Sequence, residues 1–398
     1  MSIFEQFGIS PLINASGAVT RLGGAPMPEA VLQAFRDAAG EAVSLEQLQG
    51  AASRRIARIT GTEAGLVTAG SAAALTLGTA AILTGADPGK MERLPLCEGF
   101  PHEFVIAREQ RSGYDHAVRA AGARLVEVGF NEIVANAGVR RTEAWEYEAV
   151  FGPNTAGVVY VFSPTSQPPL EQVLEVSRRY GLPVLVDAAG ELPPRSNLET
   201  IAARGADLVA FSGGKAIRGP QSTGILCGRR DLVAAAAVQM VDMDDHYDLW
   251  DPPADFIDKR LFGGIPRHGI GRAMKVSKEE IVALLTALDL FASGAYDAVR
   301  ADSRQYLETI TARLRELPAR CTIDDGDGES LPNLEIAIDE RRLGRPALEV
   351  CRRLRRGMPP VYVGHGRLSY GILMINPLCL TSARAEKLAM RLQEELTP

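Results

Sequence analysis

The chain reads Ser212-Gly213-Gly214-Lys215-Ala216-Ile217-Arg218-Gly219-Pro220 directly after the apolar run Leu208–Phe211. The apolar run predicts a buried strand, and the glycines predict a tight turn at its end. A lysine on such a turn is well placed to reach into a cleft and form a Schiff base with a carbonyl cofactor. The ordinary alternative for Lys215 is a turn lysine that faces solvent.

A carboxylate follows another apolar run in Val184-Leu185-Val186-Asp187-Ala188-Ala189-Gly190. Parallel-sheet enzymes place their sites at the carboxyl ends of strands, and a buried carboxylate needs a cationic or hydrogen-bonding partner. The protonated pyridine nitrogen of pyridoxal 5'-phosphate (PLP) is such a partner, and a carboxylate that holds this proton makes the ring an electron sink. The alternative for Asp187 is a helix N-cap.

A third motif, Thr68-Ala69-Gly70-Ser71-Ala72, predicts a strand, a turn of small residues and the start of a helix. Free N–H groups at a helix start bind phosphate, and small residues let the backbone approach it closely. The hydroxyl of Ser212 could add a donor to the same phosphate. The alternative is tight helix packing with Ser71 as the N-cap. Together, in this order and each at a strand end, the three motifs predict a cofactor site.

Strand-like and helix-like segments alternate through the first two thirds of the chain. Predicted strands fall at residues 65–68, 104–106, 125–128, 158–162, 183–186, 208–211 and 224–226, with helices at 71–83, 115–122 and 170–180. This pattern predicts an α/β domain with a mostly parallel sheet covered by helices. We expect an N-terminal segment at 1–40, a large cofactor-binding domain at 41–275 containing a long connection at 228–270, and a smaller C-terminal α+β domain at 276–398.

Composition narrows the functional classes. The chain has 398 residues and a formal charge of −6, which argues against a nucleic-acid partner. Its 5 cysteines lack paired spacing and its 5 histidines lack ligand spacing, so we expect no metal site. We find no signal peptide and no apolar stretch of membrane-spanning length, so we expect a cytoplasmic protein without a membrane partner.

The order Gly-Ser-Ala, Asp-Ala-Ala and Ser-Gly-Gly-Lys resembles the fold type I, aspartate-aminotransferase-like PLP enzymes. More narrowly, the chain is similar to the selenocysteine-synthase-related group, which includes an ammonia-lyase of an amino sugar acid. The supporting segments are residues 13–17, 20–24, 45–49, 59–61, 212–221 and 269–275. The resemblance runs from about Asn14 to the C-terminus.

This resemblance implies roles for individual residues. Lys215 would hold PLP as a Schiff base, Asp187 would pair with the pyridinium nitrogen, and Ala189 would pack under the ring. The phosphate would be held by four residues: Gly70, Ser71, Ala72 and Ser212. Such enzymes resemble one another in forming homodimers, or higher homo-oligomers, with sites at the interface. The segments around Arg21 and Arg267 are the candidates to complete the partner's site.

Two family features have no counterpart that we can assign. Selenocysteine synthase carries an N-terminal tRNA-binding extension, whereas the similarity here begins within the first dozen or so residues, so we expect no tRNA partner. Many fold type I enzymes also stack an aromatic or histidine side chain on the exposed ring face. Gln110, Tyr114 and His102 are the residues considered for this role, and none of them is assigned to it.

The expected substrate is a small anionic amino acid, whose carboxylate favours the two-pronged geometry of arginine. Arg367 is the first candidate, followed by Arg21, Arg267 and Arg272. We predict a PLP-dependent lyase that eliminates ammonia or water from a hydroxylated or sugar-derived amino acid to give a 2-keto acid. The alternatives are a PLP-dependent racemase, aminotransferase or β-replacement enzyme, and a domain of the same fold without catalysis.

Overall fold

The computed structural model describes residues 2–130, 140–241, 246–326 and 328–398. Two compact units make up the chain. One contains Met1–Pro26 and Leu290–Pro398, and the other contains Met27–Asp289. The chain thus crosses between units at residues 26–27 and 289–290, whereas the sequence suggested borders near residues 40 and 275.

The elements are as follows. The strands are β1 (Ile13–Ala15), β2 (Ala64–Thr68), β3 (Glu103–Ala107), β4 (Arg124–Val128), β5 (Thr155–Val161), β6 (Val184–Asp187), β7 (Leu208–Ser212), β8 (Gly224–Gly228), β9 (Ala319–Asp324), β10 (Asn333–Ile338), β11 (Val361–Val363) and β12 (Ile372–Ile375). The α-helices are α1 (Glu29–Ala39), α2 (Leu45–Thr60), α3 (Gly70–Thr84), α4 (Pro88–Arg93), α5 (Asp115–Ala120), α6 (Ala144–Glu148), α7 (Leu170–Arg179), α8 (Asn197–Ala203), α9 (Arg230–Val238), α10 (Lys278–Ala292), α11 (Ala298–Leu314), α12 (Glu340–Leu343), α13 (Ala347–Arg356) and α14 (Ser382–Leu396).

The larger unit is built on a 7-stranded sheet of order β2-β8-β7-β6-β5-β3-β4. Neighbouring strands from β7 to β4 pair in parallel, whereas β8 runs antiparallel to both β2 and β7. Because β2 opposes β8, it points the same way as the parallel strands. The predicted mostly parallel sheet is therefore confirmed, and the carboxyl ends of β2, β6 and β7 meet at one edge.

The sequence explains why this sheet is buried. Strands β6 and β7 are almost continuously apolar, and the helix α3 is apolar on nearly all sides, as expected of a helix within a core. Gly78 lets α3 approach the sheet, because an added Cβ there would lie 3.0 Å from a methyl carbon of Leu185. Full burial of each large aliphatic side chain stabilises the fold by about 1.5–3 kcal/mol.

The smaller unit has the expected mixed composition of helices and strands. Its antiparallel sheet has the order β12-β10-β9, and β1 pairs in parallel with β11. Helices α11, α13 and α14 supply much of its apolar core, including Leu307, Leu354 and Leu388. The pairing of β1 with β11 explains why the first 26 residues belong to this unit.

One part of the expected pattern was wrong. Residues 228–270 were interpreted as a long connection, but the structure places α9 within them. This helix contains four consecutive alanines and is buried along most of its length, from Leu232 to Val238. Its apolar residues surround the axis, so they show none of the periodicity that marks a surface helix. Asp242, Asp244 and Asp245 of the same stretch lie outside the described residues.

Candidate active site

Three predicted motifs follow β2, β6 and β7, whose carboxyl ends share one edge of the large sheet. In the ladder, Asp187 is the register partner of Ala210 on β7, and the Ala188 N–H donates to the Ala210 carbonyl at 3.0 Å. The strand that carries Asp187 is therefore tied directly to the strand that leads to Lys215. This edge is where open α/β sheets place their ligands.

Lys215 lies on a closed loop of residues 213–223 between β7 and β8. The Gly213 N–H donates to the Thr223 carbonyl at 2.9 Å, which closes the loop at its base. A Cβ on Gly213 would lie 2.3 Å from Thr223 Oγ1, and one on Gly214 would lie 2.5 Å from Gln221 Cα. Both contacts are impossible for a larger residue, so the glycines before Lys215 are required by the packing of the loop.

Asp187 is half-buried at the end of β6 and does not cap a helix, because the next helix, α8, begins at Asn197. Its Oδ1 accepts a hydrogen bond from the Ala189 N–H at 3.0 Å. Burial raises the pKa of the Asp187 carboxyl, while that hydrogen bond and the positive charge of Lys215 oppose the rise. A partly buried carboxylate at this edge is suited to bind a cation such as a protonated ring nitrogen.

The start of α3 forms an uncapped helix N-terminus at the same edge. Its N-cap residue is Ala69, so Ser71 does not have the N-cap role, and no side chain caps the helix. The residue Gly224 on β8 packs against this turn so closely that a Cβ there would lie 2.4 Å from the Gly70 carbonyl carbon. Ala72 is exposed and Ser71 is partly exposed. Uncapped N–H groups of a 15-residue helix fit the phosphate of PLP.

Glu191 was missed by the sequence reasoning. Its half-buried carboxyl has a pKa raised by burial first and by Asp187 second, and lowered by the charge of Lys215. The side chain therefore lies within electrostatic range of both predicted site residues. The only signal in the sequence was its place four positions after Asp187, on the turn that leaves β6.

The predicted substrate arginines lie in different surroundings. Arg21 lies over the ring of Tyr362, with its guanidinium carbon 5.6 Å from the ring centre, and Arg355 lies 5.0 Å from the same ring. Among the described residues, neither arginine has an acidic partner within ion-pair distance. The structure therefore brings a second guanidinium, that of Arg355, to the neighbourhood of Arg21.

Two of the other three candidates, Arg367 and Arg267, already have carboxylate partners, and the fourth candidate, Arg272, lies in the short helical turn Ile270–Met274. Arg367 forms an ion pair with Glu335, and Arg267 contacts Glu92 on α4 through its backbone N–H, at 2.8 Å, and its side chain. Because α4 follows the C-terminal end of α3, Arg267 lies away from the phosphate turn of its own chain. The structure therefore does not bring Arg267 together with Lys215 within one chain.

The structure supports none of the three residues considered for stacking on the cofactor ring. His102 precedes β3 and so lies at the opposite edge of the sheet from Asp187. The buried Gln110 uses its side-chain oxygen to accept a hydrogen bond from the Val161 N–H at 2.9 Å. Tyr114 is largely exposed at the start of α5. Their positions give no reason to assign the stacking role to any of them.

The described residues offer neither a metal cluster nor a membrane-spanning helix. No group of three or more His, Cys, Asp or Glu side chains is arranged to hold a metal ion in the parts of the chain that the structure covers. Within those same parts, no helix is both long enough and apolar enough to cross a bilayer.

Comparisons with known proteins identify relatives of the whole chain. The family described as "SelA: L-seryl-tRNA selenium transferase" matches residues 114–242. A 5'-C-glycyluridine monooxygenase-decarboxylase from Streptomyces sp is 30% identical over 405 residues, which cover 99% of this chain and 92% of that protein. D-glucosaminate-6-phosphate ammonia lyase from Salmonella typhimurium is 27% identical over 401 residues, which cover 99% of this chain and 97% of that protein.

A solved structure of D-glucosaminate-6-phosphate ammonia-lyase matches the whole chain. The TM-score is 0.82 at 26% identity, covering 100% of this chain and 98% of that one. The predicted aspartate-aminotransferase-like fold and the predicted relation to PLP-dependent lyases are both confirmed by this match. Given that likeness and the 30% identical relative along nearly its entire length, the chain belongs to the selenocysteine-synthase-like family of fold type I PLP-dependent enzymes.

Proposed function

We propose that this chain is a PLP-dependent lyase that removes ammonia from a hydroxylated or sugar-derived amino acid and leaves a 2-keto acid. The observation that carries the proposal is geometric: Asp187 ends one strand, Lys215 follows the neighbouring strand, and both lie at the sheet edge that also holds the uncapped start of α3. The likeness in sequence and structure to an ammonia lyase supports this reaction class.

Each part of the site has a separate task in this proposal. When bound, PLP supplies an electron sink next to the substrate Cα. The N–H groups at Gly70, Ser71 and Ala72, with the Ser212 hydroxyl, hold the phosphate. Asp187 keeps a proton on the ring nitrogen, and Ala189 both supports the ring and donates the hydrogen bond that fixes the Asp187 carboxylate.

Lys215 would hold the cofactor through its Nζ atom, and this amine would be available as a base once the substrate is bound. The Lys215 Nζ would then remove the proton from the substrate Cα. General-base catalysis of this kind accelerates a reaction by roughly 10²–10⁴-fold. The hydroxyl on the next carbon would leave as water, taking up the proton that the Lys215 Nζ had removed from Cα. Water then hydrolyses the resulting enamine, which gives the 2-keto acid and ammonia.

We propose that arginines bind the anionic groups of the substrate, and that two copies of the chain together complete each site. Arg21 is favoured over Arg367 and Arg267, because those two already pair with Glu335 and Glu92. A substrate carboxylate would have to displace an internal carboxylate at either of them. At Arg21 it would replace only solvent beside the Tyr362 ring.

A second candidate function is an oxygen-dependent decarboxylation. It is favoured by the relative of 30% identity, whose name describes a monooxygenase-decarboxylase. Both reactions would use Lys215 and Asp187 in the same places. The products distinguish them, because the second candidate consumes oxygen and releases carbon dioxide.

The test uses the full chain loaded with PLP and a panel of D- and L-hydroxyamino acids, amino sugar acids and their phosphates, and amino acids linked to a nucleoside. Ammonia, 2-keto acid, carbon dioxide and oxygen uptake are measured for each compound. Equal amounts of ammonia and keto acid without oxygen uptake support the lyase. Oxygen uptake with carbon dioxide supports the second candidate. Keto acid that forms only when another keto acid is added would identify an aminotransferase instead.

A further inference from the structure

Strand β2 is the outermost strand of the large sheet, and the turn that starts α3 follows it directly. On one side β2 pairs with β8, so the backbone groups of its other side face away from the sheet. The outer side of such a strand has to be covered. Helix α2 covers it, and approaches so closely that a Cβ on Gly65 would lie 2.4 Å from Ile56 Cγ2.

The side chain of Gln49 on α2 binds both backbone groups of one β2 residue. Its Nε2 donates to the Val67 carbonyl at 3.0 Å, and its Oε1 accepts a hydrogen bond from the Val67 N–H at 3.1 Å. Gln49 and Val67 are both buried, so the loss of either bond would leave a buried polar group unsatisfied. The carboxamide of Gln49 therefore takes the place that the peptide group of a neighbouring strand would have.

Ser53 makes a similar contact one turn later on the same face of α2. Its Oγ accepts a hydrogen bond from the Gly65 N–H at 3.0 Å. Gly65 lies two residues before Val67, so Ser53 binds β2 farther from the end that leads into α3. The two side chains thus make comparable contacts between one helix and one strand, at different distances from the start of α3.

Further contacts connect Val67 to the start of α3. The next residue, Thr68, is buried, and its hydroxyl donates to the Gly70 carbonyl at 2.9 Å. Thr68 is also the register partner of Gly224, which packs against the Gly70 carbonyl carbon. The position of β2 at Val67 therefore determines where the uncapped N–H groups of residues 70–72 lie.

We propose that Gln49 is a positioning residue of the cofactor site. By fixing Val67 on the outermost strand, it holds the N–H groups at the start of α3 in place for the PLP phosphate. This inference rests on the proposed function only in assuming that the phosphate binds there. Because Gln49 acts through β2 and the start of α3, its loss should weaken the binding of the phosphate and leave the reaction of an aldehyde with Lys215 unaffected.

The experiment compares PLP with pyridoxal, the same aldehyde without its phosphate, as ligands of the cofactor-free full chain. Both can form a Schiff base with Lys215, so the ratio of their Kd values, measured by absorption titration, isolates the contribution of the phosphate. Wild type should bind PLP more tightly than pyridoxal. Gln49→Met keeps the length of the side chain and removes both hydrogen bonds. We expect this change to raise the Kd for PLP by roughly 10-fold with little effect on pyridoxal.

Ser53→Ala is the matched control, because it removes a hydrogen bond between the same helix and strand. It should lower Tm, as Gln49→Met does, but keep the wild-type ratio of Kd values. If Gln49→Met does not fold, the ratio for Gln49→Asn decides, because its carboxamide is one carbon too short to reach both groups of Val67.

Three results would overturn the inference: a wild-type ratio in the Gln49 variant, an equal loss of affinity for both ligands, or an equal change of the ratio in Ser53→Ala. Equal binding of PLP and pyridoxal by wild type would overturn the proposed phosphate site, and the inference with it. A wild type that prefers PLP but forms no lyase products would overturn the proposed reaction alone.

Discussion

The carboxylate oxygen Oδ1 of Asp187 lies 3.0 Å from the backbone nitrogen of Ala189, and the hydrogen bond between them uses one of the two carboxylate oxygens. The residue that is proposed to support the ring thus also orients the acid that is proposed to bind it.

Asp187→Asn should reduce kcat by roughly 10²-fold or more, because a neutral amide does not keep the ring nitrogen protonated. The cofactor should still bind covalently at Lys215, since that reaction needs only the amine. Steady-state kinetics and the absorption spectrum of the loaded protein measure the two effects. Asp187→Glu, which keeps the charge, serves as the control. Full activity in Asp187→Asn would remove Asp187 from the reaction.

The stability of cofactor-free protein should depend on pH through the same residue. Burial raises the pKa of the Asp187 carboxyl in the folded state, so the folded protein holds this proton to higher pH than the unfolded chain does. The contribution of Asp187 to the free energy of unfolding is therefore present at low pH. It is lost as pH rises from about 4, the pKa of this carboxyl in the unfolded chain, through its pKa in the folded protein.

The Asp187→Asn protein has no carboxyl at this position to titrate. The difference between its thermal midpoint and that of wild type should therefore shift in its favour by roughly a degree or two as pH rises over this window. Calorimetry of both cofactor-free proteins from about pH 4 to 7 measures the difference. A difference that stays constant across the window would contradict the assignment of the shift to this carboxyl.

Lys215→Ala should abolish turnover and the visible absorption of bound PLP, because no other amine in the described structure shares the loop of residues 213–223. We expect activity to fall by roughly 10³-fold or more. Lys387→Ala, which changes an exposed lysine of α14, should retain wild-type activity and spectrum. A Lys215→Ala protein that still absorbs as wild type would place the cofactor on another lysine.

Gly224→Ala should weaken PLP binding at the phosphate turn. The added Cβ would lie 2.4 Å from the Gly70 carbonyl carbon and 2.5 Å from the Ser71 nitrogen, so the start of α3 must move. We expect a loss of about 1–3 kcal/mol in unfolding free energy and a higher Kd for PLP. The matched control is Gly152→Ala, where an added Cβ meets no atom within 4 Å. Unchanged PLP affinity in Gly224→Ala would argue against a phosphate at this turn.

Replacement of the substrate arginines by methionine should separate their roles. Arg21→Met should raise KM by roughly 10-fold or more with a smaller effect on kcat, because a charged hydrogen bond to the substrate is lost. Arg367→Met and Arg267→Met should have smaller effects, since their guanidinium groups already serve Glu335 and Glu92. Steady-state kinetics with the best substrate of the panel provides the comparison. A larger rise in KM for Arg367→Met than for Arg21→Met would instead make Arg367 the main substrate arginine.

The predictable part of the fold was the part that local sequence determines. Apolar runs such as Leu208–Phe211 mark buried strands, and the glycines that follow mark the turn that carries Lys215. The helix α9 was missed because its apolar residues have no surface-helix periodicity. The pairing of Ile13 with Val361 was missed because no local pattern reports a contact between such distant residues.

The candidate site, like the fold, could be predicted from sequence only in part. The strand-end positions of Asp187 and Lys215 follow from sequence, since each residue ends or follows an apolar run. The effect of Asp187 and Lys215 on the pKa of the Glu191 carboxyl does not follow, because it depends on the turn of residues 188–191 and on the neighbouring strand. The ion pairs of Arg367 and Arg267 likewise depend on tertiary contacts, so sequence alone ranked these arginines without knowing their partners.

The direction of β8 also restricts how related chains vary in length. Since β8 is antiparallel to β7, residues 213–223 form a direct return, and the pairing of Ser212 with Gly224 fixes both of its ends. An inserted residue between them has no helical crossover to absorb it and would displace Lys215. Relatives that are longer or shorter should therefore differ in the connections of the parallel strands, and should keep the spacing from Ser212 to Gly224 constant.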